Sequence, residues 1–408
     1  MVEPAPGVPR SRCLRPPGGR VGEGGGAGAP DFLRPPASWV PDGSVLQWAG
    51  TRRRRAQMPV IAAEPLRRLT TAIFQAAGAT RENADRVAEA LVESNLVGHD
   101  SHGVIRIPSY IQAIRQGHIQ PAATPTILRE TPTAALVSGN WTFGHVAAKF
   151  GTEVAVAKAR AQGLAAVGIV QCNHIGRLGE YPTMAARQGV IALVTAGGSL
   201  ASGVRGPAAP YGGRGRALGT NPIAVGVPGG DFPPLLLDFA TTAVAGGKIM
   251  VARARRQPLP PGAILDPEGN PSTDPEDFYR GGVMLPFGGH KGYALSMVVE
   301  LLSGPLTGAD AHAATGRTSG TFILAIDAGL FRPLAEFVSV ADRVYRQVKE
   351  TPPAPGFEEV LLPGEPEWRT RARRLAEGIP IEEATWSAIV QVARDLGIDA
   401  EAFRDAPA

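Results

Sequence analysis

The chain has 408 residues, 44% hydrophobic and 19% charged, an ordinary balance for a globular protein of two or three packed lobes. No apolar run reaches about eighteen residues, so no membrane-spanning helix is expected. The net charge of +4 does not point to nucleic acid or a membrane: positions 1–57 hold nine arginines against four acids, leaving that segment at +5 and the rest at −1.

Positions 1–57 contain ten Gly and nine Pro with few aliphatics, a composition that cannot offset the entropy of ordering it. A disordered tail is expected there. It has neither the apolar core of a secretory signal nor a Ser-rich amphipathic transit pattern. The run Arg52–Arg55 as a nucleic-acid contact is the lesser reading, and translation is expected to start at Met58. Order begins near Pro65, where Leu66, Leu69, Ile73 and Ala76 have helical spacing up to Gly78. A second helix carries Ala84, Val87, Ala88, Leu91, Val92 and Asn95. Short β-type runs follow at Leu164–Val170, Val190–Thr195, Ile223–Val227 and Leu235–Leu237, with helical segments at His145–Ala161 and Tyr293–Leu302. A strand at Thr321–Ile326 and an amphipathic helix with Leu334, Phe337, Ala341, Val344, Tyr345 and Val348 complete the pattern. Strands alternating with helices indicate α/β, without internal repeats. Cys13 and Cys172 imply no disulfide framework and suit a reducing cytoplasm.

Several familiar motifs are absent. The string Gly213–Gly219 has one residue too many for G-x-G-x-x-G and precedes a strand, and no Walker A loop, H-E-x-x-H, paired C-x-x-C or G-x-S-x-G occurs. Four other constellations could carry chemistry. In Asp100–Arg106 (D-S-H-G-x-x-R), a helix from Ser101 would place His102, Arg106 and Tyr110 on one face, and Arg106 offers a planar fork for a carboxylate. A capped helix start with a solvated polar face is the competing reading. His174, in Asn173–Tyr181 just after an apolar run, suits a general base, because unperturbed imidazole titrates at about 6.5; a histidine held in a tight turn is the alternative. Gly219–Pro222 and Leu237–Thr242 supply small residues and hydroxyls at strand ends, for a ribose or phosphate or for ordinary turns. Leu285–Tyr293 opens a helix with Lys291 near its start, an anion site or a glycine-rich helix start with an exposed lysine.

In this order and spacing the chain resembles the malate/L-lactate dehydrogenase family with the non-Rossmann fold, which also contains sulfolactate and ureidoglycolate dehydrogenases and cyclic-imine 2-carboxylate reductases. The likeness runs from about Met58 to Ala400 and rests on D-S-H-G-x-x-R, N-H-I-G-R-L-G-E-Y, L-G-T-N-P-I-A, L-D-F-A-T-T and L-P-F-G-G-H-K-G-Y, with Phe357 and Leu362–Pro366 as a late match. H-I-G-R-L-G-E-Y is most like the hydroxycarboxylate dehydrogenase branch. The resemblance implies a non-Rossmann NAD(P)-binding α/β fold: a central mixed sheet flanked by helices, with helical N- and C-terminal regions. It implies His174 as acid/base and Ser101, His102 and Arg106 on the substrate side. Ser199, Asp238, Phe239, Ala240, Lys291, Gly364, Glu365 and Pro366 match positions that contact NAD or NADP. No metal is implied, and family members are homodimers. The expected division is a tail at 1–57, a helical substrate-side region at 58–125, a cofactor and catalytic domain at 126–305, and a region at 306–408 packing back on the N-terminal helices. The expected reaction moves a hydride between NAD(P) and C2 of a small 2-hydroxy or 2-oxo acid, with reduction of a cyclic imine 2-carboxylate as the alternative. Arg177, Arg205, Arg214 and Arg216 are the candidates for a basic residue near the ribose.

Overall fold

The first described elements are a short strand β1 (Val60–Ile61) and helices α1 (Ala63–Ala76), α2 (Arg81–Leu96) and α3 (Ile107–Arg115). This computed structural model describes residues 58–313 and 320–404; the tail at 1–57 lies outside the described residues. Helix α1 forms where the apolar spacing places it. Leu66, Leu69 and Ile73 line one face and are at most 1% exposed, each burial contributing about 2 kcal/mol. Thr80 caps α2 by accepting from Asn83 N.

The central sheet begins with β2 (Thr126–Glu130) and β3 (Ala134–Ser138), then α4 (Gly144–Gln162), β4 (Leu164–Val170), α5 (Glu180–Ala186), β5 (Val190–Gly197), β6 (Ile223–Val227) and β7 (Leu235–Phe239). A small lobe follows: α6 (Gly246–Arg255), β8 (Ile264–Leu265), β9 (Pro271–Ser272), α7 (Pro275–Tyr279) and β10 (Val283–Met284). Then come α8 (His290–Ser303), β11 (Gly320–Asp327), α9 (Leu334–Lys349), α10 (Glu365–Glu377), β12 (Ile379–Pro380), α11 (Glu383–Asp395) and α12 (Glu401–Arg404).

Seven strands run in the order β2-β3-β4-β11-β5-β6-β7. Among the described strands β3 and β4 pair in parallel, and every other neighbour in this sheet is antiparallel. The sheet is therefore mixed, with β3, α4 and β4 as its parallel strand–helix–strand unit. Alternation along β5 sends Val190, Ala192 and Val194 into one core with α4 and α5, while Thr195 bonds Ser303 of α8 on the opposite face at 2.8 Å. A second core joins α1, α2 and α3 to the C-terminal segment through Ile379, Ile381, Trp386, Ile389 and Ala393. The small lobe has its own core around Ile249, Leu259, Ile264 and Met284.

Candidate active site

One end of the sheet collects the chemistry. Thr321 of β11 stands opposite Ile169 of β4 and Ala196 of β5, and Ile223 of β6 stands opposite Thr195 and Phe239. The loops after β4, β5 and β7 and before β6 therefore open on the same side. His174 follows β4 there, Ser199 follows β5, and Asp238 is the last residue but one of β7.

The His174 loop is held from both sides. Asn173 Nδ2 donates to the carbonyls of Trp141 and Thr142, each at 2.8 Å, and of His118 at 3.2 Å. A Cβ on Gly144 would stand 2.2 Å from Asn173 O and 2.4 Å from His174 O, so glycine alone lets the first turn of α4 lie against this backbone. The His174 side chain is partly open to solvent yet closely surrounded by protein groups. Its Nδ1 lies 2.7 Å from Tyr110 Oη, and its ring stacks on His102 with centroids 5.7 Å apart. Burial, then the Arg106 guanidinium and the His102 and His145 rings, hold His174 well below the usual imidazole value. His102 is pushed down to about 4 by burial and by Arg106, His99 and Arg177. Both rings are neutral at pH 7, so His174 is competent to take a proton.

The continuous helix expected from Ser101 does not form. Asp100–His102 and Val104–Arg106 are separate 3-10 turns with an extended Gly103 between them, and α3 begins at Ile107. Pro108 explains the break, because inside a helix begun at Ser101 it would lack the N–H that such a helix needs. Gly103 is closed over by Asn95, whose Oδ1 accepts from Val104 N at 2.8 Å and would meet a Cβ there at 2.1 Å. The residues converge all the same. Ser101 Oγ is 3.0 Å from His102 Nδ1, and Arg106 Nε donates to Ser101 O at 2.7 Å. That bond fixes the guanidinium while its two terminal nitrogens keep no protein acceptor among the described residues, an arrangement ready for a carboxylate.

Asp238 is tied to the His174 loop: its Oδ2 accepts from Gly179 N at 2.8 Å. Burial raises its carboxyl, and Arg177 opposes that shift. Phe239 packs edge-on against Phe287 at 5.3 Å, which brings the loop before α8 to the end of β7 beside Ala240. Lys291, in the first turn of α8, is exposed and has no acidic partner among the described residues. Ser199 sits in a loop pinned by Glu300, a 3% exposed carboxylate that accepts from Gly198 N, Leu200 N and Asn221 Nδ2 at 3.1, 2.7 and 3.0 Å. Gly364 takes a φ of +92° before α10, and Leu236 N bonds Pro363 O at 3.1 Å, laying the Gly364–Pro366 segment beside β7. The Glu365 carboxylate is itself taken up by Lys349 at 2.9 Å, Arg369 and Leu362 N. Beside this segment lies an apolar cavity of about 310 Å³ with Phe232, Pro233, Leu235, Leu362, Pro363 and Trp368 in its walls.

Arg205, Arg214 and Arg216 donate to the carbonyls of Arg216, Glu268 and Gly282 respectively; of the four arginines considered for the ribose, Arg177 is the one whose charge acts on Asp238. Tyr110 was expected on the face of His102 and Arg106 but not against His174, and the roles of Asn173, His145 and Glu300 were not expected. For Tyr110 the signal was its place four residues beyond Arg106, and for Glu300 it was an acid inside an apolar helix.

The sequence profile described as malate/L-lactate dehydrogenase matches residues 61–390. The L-sulfolactate dehydrogenase of Methanothermobacter thermautotrophicus is 39% identical, covering 81% of this chain and 95% of its own length. A solved putative malate/lactate dehydrogenase from E. coli superposes with a TM-score of 0.77 at 33% identity, over 84% of this chain and 98% of that one. The delta1-piperideine-2-carboxylate reductase of Pseudomonas syringae pvar. tomato gives 0.70 at 30% identity, over 82% and 99%.

Proposed function

The chain belongs to the malate/L-lactate dehydrogenase family, and from that premise we propose that it moves a hydride between NAD(P) and C2 of a small 2-hydroxy or 2-oxo carboxylic acid such as malate or lactate. The observation that carries this reading is the pairing of a neutral His174, whose Nε2 has no protein partner among the described residues, with an Arg106 fork held open by Ser101 O. When bound, the nicotinamide supplies the hydride acceptor or donor. Arg106 clamps the substrate carboxylate, with Ser101 and His102 beside it. For Nε2 to accept the hydroxyl proton, Nδ1 must carry its own and donate it to Tyr110 Oη at 2.7 Å. As His174 becomes imidazolium, that bond becomes charge-assisted; in reduction His174 returns the proton to the developing alkoxide.

The residues present fit the cofactor. Lys291 offers an uncompensated cation for an anionic group, Asp238 to Ala240 line the end of β7, and the apolar cavity beside Gly364–Pro366 suits a flat ring. In this reading residues 58–125 form the substrate side and 126–305 hold cofactor and base; of the later residues β11 joins the central sheet, and Ile379–Phe403 pack back on the N-terminal helices through the shared core, which corrects the expected division at 306. A homodimer belongs to the same proposal. Val298, Leu301 and Leu306 are 50%, 52% and 60% exposed along and just beyond α8, and the sheet face beneath, with Leu193 and Phe322, is half-buried, so a second copy would cover apolar surface. A cytoplasmic setting belongs to the same proposal, and among the described residues no helix is long and apolar enough to cross a membrane. Reduction of a cyclic imine 2-carboxylate is the second reading, favoured by the likeness to the piperideine-2-carboxylate reductase.

The test is His174→Ala. Turnover is expected to fall by about two to four orders of magnitude, the usual worth of a positioned acid/base, while NADH affinity holds. Turnover equal to the unmodified protein's would remove His174 from this role.

A further inference from the structure

A second cavity, of about 210 Å³, lies where α2, α4, α5 and α10 meet, and neither His174 nor Lys291 lines it. Six cationic side chains and three carboxylates do. The carboxylates are already engaged. Glu180 and Glu89 lie 2.7 and 3.2 Å from Arg86 Nη1, and Glu93 lies 2.7 Å from Arg371 Nε. Two of the cations, Arg67 and Lys149, pair with Glu64 and Glu153, which are not part of the wall. Arg187 remains without an acidic partner among the described residues, and Arg177 makes no ion pair there, although its charge acts on Asp238 and Glu367. Arg177 is 4% exposed, and its Nε and Nη1 are buried with no hydrogen-bond partner, as is Nη2 of the 7% exposed Arg86. Arg187 is exposed and lies 5.8 Å over the ring of Trp368.

Buried guanidinium nitrogens without acceptors are costly, and in folded proteins they nearly always have a partner. Here the unmet donors belong to side chains that wall one cavity in which cations outnumber carboxylates even after Arg67 and Lys149 are paired outside it, so an anion meets these donors better than water alone. We propose that this cavity is an anion site distinct from the hydride-transfer centre, taking a small oxyanion with two negative charges, a phosphate group or a dicarboxylate. Arg177 couples it to the centre, since the same charge acts on Asp238 and His102. A bound dianion offsets that charge, so occupancy modulates turnover.

The experiment is titration calorimetry of the full chain with inorganic phosphate, and separately with succinate, which has no hydroxyl at C2 to react. Ionic strength is held constant with sodium chloride. Saturable binding is expected for at least one probe: phosphate alone identifies a phosphoryl ligand, and succinate alone a dicarboxylate. Arg187→Gln should weaken binding about tenfold by removing a charge-assisted contact. Glu93→Gln should tighten it several-fold, because it removes a carboxylate and releases Arg371. Neither residue touches the reacting atoms, so turnover without added anion stays the same in both variants. The readout needs no turnover, so it stands apart from the identity of the substrate. Absence of saturable binding by either probe, or equal affinity in both variants, overturns the proposal. Binding that is strictly competitive with NAD(P) also overturns it, by assigning the cavity to the cofactor.

Discussion

Replacing Tyr110 by Phe removes one oxygen from a buried ring and nearly conserves volume, so the effect on folding is small. The effect on catalysis is not. The hydroxyl is 2.7 Å from His174 Nδ1, where it accepts a neutral hydrogen bond in the ground state and a charge-assisted one once His174 has taken the substrate proton. Neutral bonds contribute about 0.5–1.5 kcal/mol and charged ones about 1.5–3 kcal/mol, so about 1–1.5 kcal/mol of stabilisation appears only as the proton moves. At about 1.4 kcal/mol per decade, kcat for oxidation should fall about tenfold, with the cofactor KM unchanged. The pH profile supplies the sign. Loss of the acceptor disfavours imidazolium and moves the acid limb of kcat/KM to lower pH, further below the usual imidazole value than it already lies. Steady-state rates between pH 4.5 and 8 measure both quantities. A kcat within twofold of the unmodified protein's and an unmoved limb would refute the claim that Tyr110 sets the His174 tautomer.

Glu300→Gln turns an acceptor towards a donor in a loop pinned by three donors, and should raise the cofactor KM about tenfold while kcat changes little; an unchanged KM would show that the loop holds Ser199 without it. Acid should destabilise the fold through His145, whose imidazole is pushed down to about 3 by burial, Arg86 and His102, with both ring nitrogens buried and unpartnered. Below about pH 6.5 the unfolded chain binds a proton that the folded one refuses, so stability is full above that pH and falls towards pH 3. Two pH units below 6.5, His145 alone accounts for about 3 kcal/mol. Urea midpoints at pH 7 and 4.5 measure this, and His145→Gln should shrink the difference; the same pH dependence in the variant would contradict the assignment.

Much of the scaffold was legible because burial wrote itself into short apolar runs. The runs Leu164–Val170 and Ile223–Val227 coincide with β4 and β6, and α1, α4 and α9 lie where the spacing put them. Strand β2 was not legible: all five residues are exposed, so no hydrophobic alternation marks them. The helix expected at Ser101 failed because a proline at 108 and the Asn95 side chain outweighed the face pattern. The motifs named His174 and Asp238, but no spacing told that their loops share one sheet end; that follows from the register of β4, β11, β5, β6 and β7. Arg86 with Glu180 and Asn221 with Glu300 are 94 and 79 residues apart, pairings that only the fold creates.

The central claim is tested most directly by the absorbance of reduced nicotinamide, with NADH and NADPH each offered against pyruvate, oxaloacetate, other small 2-oxo acids and one cyclic ketimine. The account predicts that a 2-oxo acid oxidises at least one of the two cofactors. Cofactor left unoxidised across the whole panel, with neither NADH nor NADPH bound, would contradict it.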